Sequence, residues 1–309
     1  MINWLVIGIG DITRKRVLPA ILAEPRSHLH AILTRDPGKA DAYPGAHPYT
    51  SLDEALRDPE VHAVYVASPV SLHAGQTIAS LRAGKHVLCE KPTAMNLAEA
   101  ESMVLAAAHA HRLFAVAYYR RLFPKLLRAK QLLATGVIGQ PTLIQAACHG
   151  WLESEDRGWL RDPALAGGGP LFDIGSHRID AANALFGQPT RATGLLSNTV
   201  HTLPVEDSAS ILIDYSNHAH AIIDVRWNSR IPRDEFRILG TDGELDLTPL
   251  SGPTLRYAGL EELLPTDANV HLPAIENFVA AILDGTPLAC PGEQAIMTDW
   301  VTQQVMNSR

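Results

Sequence analysis

Residues 3–13 constrain this chain more than any other stretch: Asn3-Trp4-Leu5-Val6-Ile7-Gly8-Ile9-Gly10-Asp11-Ile12-Thr13. The apolar residues follow one another without polar alternation, which reads as a strand buried on both faces, the kind found in parallel sheets. Two glycines break the run. A helical pattern carrying Val17, Leu18, Ile21 and Leu22 then fills residues 14–23, with Pro25 just beyond. A strand, a glycine turn and a helix in that order make a place for a phosphate. Gly8 permits the tight turn, Gly10 lets the backbone approach a pyrophosphate, and the positive end of the helix, at Asp11 and Ile12, meets the charge. Thr13 stands where this fingerprint usually has its third glycine.

The rest of the chain supplies the sheet that such a turn belongs to. Residues 28–34 read as a second strand, 52–57 as a short helix, 61–67 as a third strand, 74–83 as a helix closed by Gly84, and 87–89 as a fourth strand. An alanine-rich helix at 98–110 and a strand at 113–118 follow. Strands alternating with helices of this length predict a doubly wound parallel sheet, whose ligands bind beyond the carboxyl ends of the strands. Gly8 to Thr13, Thr34-Arg35, Ser68-Pro69 with His73, and Glu90-Lys91-Pro92 all fall there. Thr34 and Arg35 sit where the adenosine ribose is read. Arg35 can fork onto a 2′-phosphate, and no acid occupies position 34 to repel it, so NADP is expected over NAD. Asp36 could still serve a ribose hydroxyl.

From residue 142 the pattern changes to strands with alternating faces: 142–148, 192–199, 208–215, 219–228, and 235–247 folded at Asp242-Gly243. The expected architecture is therefore α/β, with a nucleotide-binding domain at 1–119. A second, α+β domain at 120–309 carries a large, mostly antiparallel open sheet. An apolar sheet face is a surface for a second copy, so a homodimer or homotetramer through the C-terminal sheet is expected.

Composition narrows the partners. With 46% hydrophobic and 19% charged residues in 309, and a net charge of −7 spread along the chain, neither nucleic acid nor an anionic membrane surface is an expected partner. No apolar run approaches the ~20 residues of a membrane span, and the first strand starts with no basic leader before it, which predicts a cytoplasmic protein. Cys89, Cys148 and Cys290 are few and far apart, and His109 and His111 have no third ligand at metal spacing, so neither disulfides nor a metal site is expected.

Two arrangements carry chemistry. Pro92 biases Lys91 toward extended dihedrals, aiming its ammonium out of a strand end, where it could stabilise negative charge growing on a substrate oxygen. As a lone residue, Lys91 could instead be a surface partner of Glu90. Further on, Gly167-Gly168-Gly169 leads into a helix at 171–185 on which Asp173 and His177, four apart, share a face. An imidazole with an unperturbed pKa of about 6.5 suits proton transfer from an alcohol at neutral pH, with a carboxylate one turn away to orient it. A surface ion pair is the plainer reading of the same spacing.

These residues together resemble the Gfo/Idh/MocA oxidoreductases (glucose-fructose oxidoreductase, inositol dehydrogenase, rhizopine catabolism). The resemblance rests on Gly8-x-Gly10, Ser68-Pro69-x-x-x-His73, Ala83-Gly84-Lys85-His86-Val87 and Cys89-Glu90-Lys91-Pro92. It continues through Tyr118-Tyr119-Arg120-Arg121, Gly167-Gly168-Gly169-Pro170-Leu171-x-Asp173-x-Gly175-x-His177 and Gly240-Thr241-x-Gly243. It implies a Rossmann domain that binds NADP or NAD, and hydride transfer between the nicotinamide and a secondary alcohol or carbonyl of a sugar, cyclitol or related polyol. It also implies catalytic roles for Lys91, His177 and Asp173. One arginine of the Arg120-Arg121 pair, Arg121 by preference, would join them near the substrate, and Trp159 in the loop 151–166 would help to shape its pocket. Two other functions live on the same scaffold: an NAD-dependent glycosidase working by transient oxidation, and a non-catalytic ligand sensor. The presence of both Lys91 and His177 speaks against the sensor.

Overall fold

A computed structural model describes residues 1–152 and 155–308. The chain divides into two compact units, one of Met1–Tyr119 with Asp267–Ile296, the other of Arg120–Thr266 with 297–308. A single boundary at 119/120 does not provide for the return of residues 267–296 to the first unit.

In the first unit, β1 (Ile2–Ile7), β2 (Ser27–Leu33), β3 (His47–Tyr49), β4 (Ala63–Val66), β5 (His86–Cys89) and β6 (Phe114–Val116) form one sheet. Their order is β3-β2-β1-β4-β5-β6, with every neighbouring pair parallel. The sequence did not announce β3, because His47-Pro48-Tyr49 has no strand pattern; proline is tolerated there because β3 lies at the edge. The helices are α1 (Leu18–Ala23), α2 (Leu52–Arg57), α3 (His73–Arg82), α4 (Leu97–Ala110) and, from the returning segment, α8 (Leu272–Asp284).

β1 is central and its Trp4, Leu5 and Val6 are fully buried. Trp4 and Val6 pack with Leu18 and Ile21 of α1 and Ile275, Phe278 and Val279 of α8. Leu5 and Ile7 pack on the other face with Ala55, Ala74, Leu81, Ala100 and Met103 of α2, α3 and α4. Each Leu, Ile, Val, Phe or Met side chain among them contributes about 1.5–3 kcal/mol by leaving water. This is why the run 4–7 shows no alternation: both faces are covered.

The second unit holds an eight-stranded sheet of β7 (Pro141–Trp151), β8 (Pro189–Ser197), β9 (Ser208–Tyr215), β10 (His220–Arg226), β11 (Asn228–Gly240), β12 (Glu244–Asp246), β13 (Thr254–Tyr257) and β14 (Leu260–Leu263). The order is β14-β13-β12-β11-β7-β10-β9-β8, antiparallel except for β10 against β7. Its helices are α5 (Pro124–Ala134), α6 (Pro163–Ala166) and α7 (Ser176–Phe186), and a final helix α9 spans Gly292–Asn307. β13 and β14 add an edge that the sequence reading did not include. Helix α7 is buried along most of its length, from Ser176 through Asn183. Its polar residues must therefore find partners inside the protein. Among the described residues no helix is long and apolar enough to cross a membrane.

Candidate active site

The glycine turn after β1 has the geometry a phosphate needs. Gly8 takes φ +92°, and a Cβ there would lie 2.7 Å from the Ala67 carbonyl oxygen after β4. Only glycine lets these two strand ends come so close. At Gly10 a Cβ would meet nothing within 4 Å, and Gly10, Asp11 and Ile12 are exposed. The Arg14 N–H bonds the Gly10 carbonyl, so helical bonding starts at once and the N–H groups of the first turn have no acceptor within the helix. Thr13 is fully buried beneath the turn. Its hydroxyl-bearing side chain is thus packing material in the place of the third glycine. Open space over Gly10 in front of an exposed helix start fits a dinucleotide pyrophosphate.

The other strand ends sort into outward and inward residues. Thr34 Oγ1 accepts the Asp36 N–H at 3.2 Å, and Arg35 is exposed beside it. Ser68 Oγ donates to Gln76 Oε1 at 2.7 Å. His73, expected on the cofactor side, points into the fold. It is 1% exposed, with Nδ1 3.0 Å from the Pro92 oxygen and Nε2 3.0 Å from the Ser68 oxygen. It braces the β4 and β5 turns against each other. Burial pushes its pKa down, against the raising effect of those carbonyls.

Glu90 is also internal. Its Oε1 accepts from Tyr65 Oη at 2.6 Å and from His271 Nε2 at 3.2 Å, and its Oε2 accepts the Lys91 N–H at 3.2 Å. Burial raises its pKa, but the bonds from His271 and Tyr65 and the charge of Lys91 outweigh this and hold it below the usual carboxylate range. Lys91 itself is half-buried at the end of β5. The carboxylate at 90 is thus engaged within the fold and fixes the backbone that carries Lys91.

In the second unit Asp173 lies in a π turn, Leu171–Gly175, that runs directly into α7 and His177. Its wider winding still returns to the same side after four residues. The reason for three glycines now appears. A Cβ on Gly167 or Gly168 would lie 2.6 or 2.5 Å from the Phe172 ring, and one on Gly169 2.0 Å from the Glu206 carbonyl oxygen. Glu206 Oε1 accepts the N–H groups of Gly169 at 2.9 Å and Leu171 at 3.1 Å, placing a carboxylate at the start of the turn.

Arg121 is 6% exposed. Its Nε donates to both oxygens of Asp180 at 3.0 Å and its Nη2 to Oδ1 at 2.7 Å. Asp180 is three residues beyond His177 on α7. Two further clamps hold the helix: Arg178 Nη2 to Asp234 Oδ1 at 2.8 Å, and Tyr215 Oη to Asn183 Oδ1 at 3.0 Å. Arg120 is less buried than Arg121, and Trp159 is 40% exposed in the short helix Glu155–Arg161. Of the loop expected to shape a pocket, Glu153 and Ser154 lie outside the described residues. The sequence reading missed Tyr65, His271, Asp180 and Glu206, all of which act on the expected residues from far along the chain.

Comparisons with known proteins agree with this picture. A family profile described as "Oxidoreductase family, NAD-binding Rossmann fold" matches residues 2–118, and one described as "GFO/IDH/MocA C-terminal domain" matches residues 126–246. The 1,5-anhydro-D-fructose reductase of Ensifer adhaerens is 31% identical over 308 residues, covering 96% of this chain and 92% of that protein. Among solved structures, the aldose-aldose oxidoreductase of Caulobacter crescentus superposes with a TM-score of 0.90 at 24% identity, over 99% of this chain and 97% of that one. GenD2 from gentamicin A biosynthesis, in complex with NAD, superposes with a TM-score of 0.85 at 25% identity, over 99% and 93%. The glycine turn, the six-stranded parallel sheet and the second, mostly antiparallel sheet thus belong together: this chain is a member of the Gfo/Idh/MocA family of NAD-binding Rossmann-fold oxidoreductases.

Proposed function

We propose that this protein is a dehydrogenase or reductase of a sugar, cyclitol or related polyol, with a preference for NADP(H) over NAD(H). The observation that carries the reading is Lys91, held by its backbone N–H on buried Glu90 at the end of β5, in the unit whose glycine turn leaves room for a pyrophosphate. The name of the Ensifer relative, a reductase of an anhydro sugar, supports the substrate class. When bound, the nicotinamide supplies the hydride acceptor or donor. The Lys91 ammonium donates a hydrogen bond to the substrate oxygen and stabilises the charge that develops on it. An imidazole nitrogen of His177 holds the proton that leaves or joins the substrate hydroxyl, and the Asp173 carboxylate orients that ring. Arg35, exposed next to Thr34, pairs with a 2′-phosphate.

The test is a panel of sugars and polyols, 1,5-anhydro-D-fructose included, with both cofactors in both directions, followed by absorbance of the reduced nicotinamide. Lys91→Ala is expected to lower kcat by roughly 100-fold or more on any panel member that turns over, with cofactor binding intact. Residual turnover near the unmodified level removes Lys91 from the mechanism. The same reading makes the open face of the second sheet a surface for a second copy. There Leu212 of β9 and Ile222 of β10 lie opposite each other, 51% and 44% exposed. A monomeric mass in sedimentation at micromolar concentration would remove this part.

A further inference from the structure

We propose that His271 is a positioning residue for Lys91, acting through Glu90, and that residues 268–271 form a strut between the Lys91 turn and the helix that follows the phosphate turn. The proposal rests on the reading of Lys91 given above. His271 lies in the returning segment, outside the residues matched by either family profile. It is 2% exposed, and its Nε2 reaches Glu90 Oε1 across 181 residues of sequence.

The geometry leaves Glu90 little freedom. Oε1 takes two donors, Tyr65 Oη and His271 Nε2, while Oε2 takes the Lys91 N–H. The plane of the carboxylate is set by the first two, and the Lys91 backbone follows from the third. A buried carboxylate that loses a donor must reorient or take up a proton, and either change moves its bond to Lys91. The imidazole is fixed in turn. The Tyr119 ring packs on it at 4.6 Å between centroids, and the backbone N–H that carries it donates to Asn269 Oδ1 at 3.1 Å.

The other end of the strut is equally definite. Asn269 Nδ2 donates to the Arg16 carbonyl at 2.8 Å, and Arg16 Nη1 donates to the Ala268 carbonyl at 3.0 Å. Arg16 belongs to the helical turn Thr13–Val17 that follows Gly10. The segment therefore joins the two turns that must hold cofactor phosphate and the lysine in fixed register, and a catalytic group that is displaced by about 1 Å loses rate steeply.

Three full-length variants test this: His271→Leu, which removes the donor; His271→Gln, whose amide nitrogen can take the place of Nε2; and Tyr65→Phe, which removes the second donor. One readout is kcat and KM on a sugar from the panel. The other is hydrogen exchange of the Lys91 amide, which requires no substrate. His271→Leu is expected to lower kcat roughly 10- to 100-fold with KM for NADPH within about threefold. It is also expected to speed Lys91 amide exchange about tenfold, while His271→Gln stays near the unmodified protein in both. Tyr65→Phe falls between. Unchanged kcat and exchange in His271→Leu overturn the proposal. So does an equal loss in His271→Gln accompanied by an equal fall in Tm, which marks His271 as packing alone. Lys91→Ala, measured alongside, separates the two levels: if it turns over normally, the catalytic reading of Lys91 has failed, whatever the exchange data say of the strut.

Discussion

The Arg121–Asp180 pair gives the sharpest quantitative test of how the second unit holds His177. Both side chains are nearly inaccessible, at 5% and 1%, and three bonds of 2.7–3.0 Å join them. Arg121→Met takes away the cation and leaves the Asp180 carboxylate buried without those donors. Removing one partner of a buried pair costs about 3–5 kcal/mol, because the surviving charge is stranded in low dielectric. For a chain of this size each kcal/mol is worth about 2–4 °C in Tm, so Arg121→Met should melt about 6–20 °C lower at pH 7. Asp180→Leu takes away the acceptor of those three bonds and should also lower Tm. The double variant Arg121→Met/Asp180→Leu replaces the pair by apolar volume, and such replacements are often neutral. It should therefore recover most of the loss, with a coupling energy of several kcal/mol in the thermodynamic cycle. Thermal unfolding by circular dichroism or calorimetry on the four proteins reads this directly. A fall of under 2 °C in Arg121→Met, or a double variant as unstable as the sum of the singles, would refute the argument. Kinetics on the stable double variant then separate two roles for Arg121. If it acts only by holding α7, turnover returns with Tm; if it touches substrate, Tm returns and KM stays high.

Two shorter expectations accompany it. Arg35→Ala should weaken NADPH binding by about 10-fold or more, the value of one charge-assisted contact, and leave NADH within about twofold; equal losses in titrations of both cofactors would remove the 2′-phosphate assignment. The second concerns acid. His86 Nδ1 accepts the Leu113 N–H at 3.1 Å, and burial first, then the charges of Arg112 and His62, lower its pKa to about 4. The fold holds the neutral ring while the unfolded chain protonates near 6.5, so this contribution is complete above about pH 6.5 and is lost as pH falls toward 4. Allowing for partial solvent access, it is worth about 1–2 kcal/mol. His86→Asn, which keeps an acceptor without the titration, should show a shallower fall of Tm between pH 6.5 and 4, and an unchanged slope would exclude His86.

The parts of this protein legible in its sequence are those whose cause is local. Residues 4–7 announce a strand covered on both faces because each is apolar, and Gly8 and Gly10 announce a turn because neighbouring strand ends leave no room for a Cβ at Gly8. Helix α7 follows from spacing, as does the turn before it that carries Asp173. What the pattern could not supply is who holds these residues. Asp180 is in sequence one polar residue among several on its helix, and its meaning depends on Arg121, 59 residues earlier. Glu206 has nothing in its neighbouring sequence to mark it, yet its Oε1 takes two N–H groups at the start of the turn bearing Asp173. His73 stood at a strand end, where sequence logic aims side chains outward, but two backbone carbonyls on adjacent turns draw it inward.

Chain return adds one more partner of this kind. Residues 267–296 rejoin the first unit after the whole second sheet has been built, so His271 meets Glu90 through topology rather than through any period in the sequence. A polar residue inside a protein must be satisfied by something, and each of Glu90, Asp180 and Arg178 is satisfied by a residue at least 56 positions away. Motif residues can be named from spacing, because their chemistry constrains their neighbours in sequence. Their partners are constrained only in space, and it is the partners that fix where an ammonium or an imidazole stands. In a family with a common scaffold, exchanging such distant partners is therefore a route by which the setting of Lys91 in one unit, or of helix α7 in the other, can change without altering a motif residue.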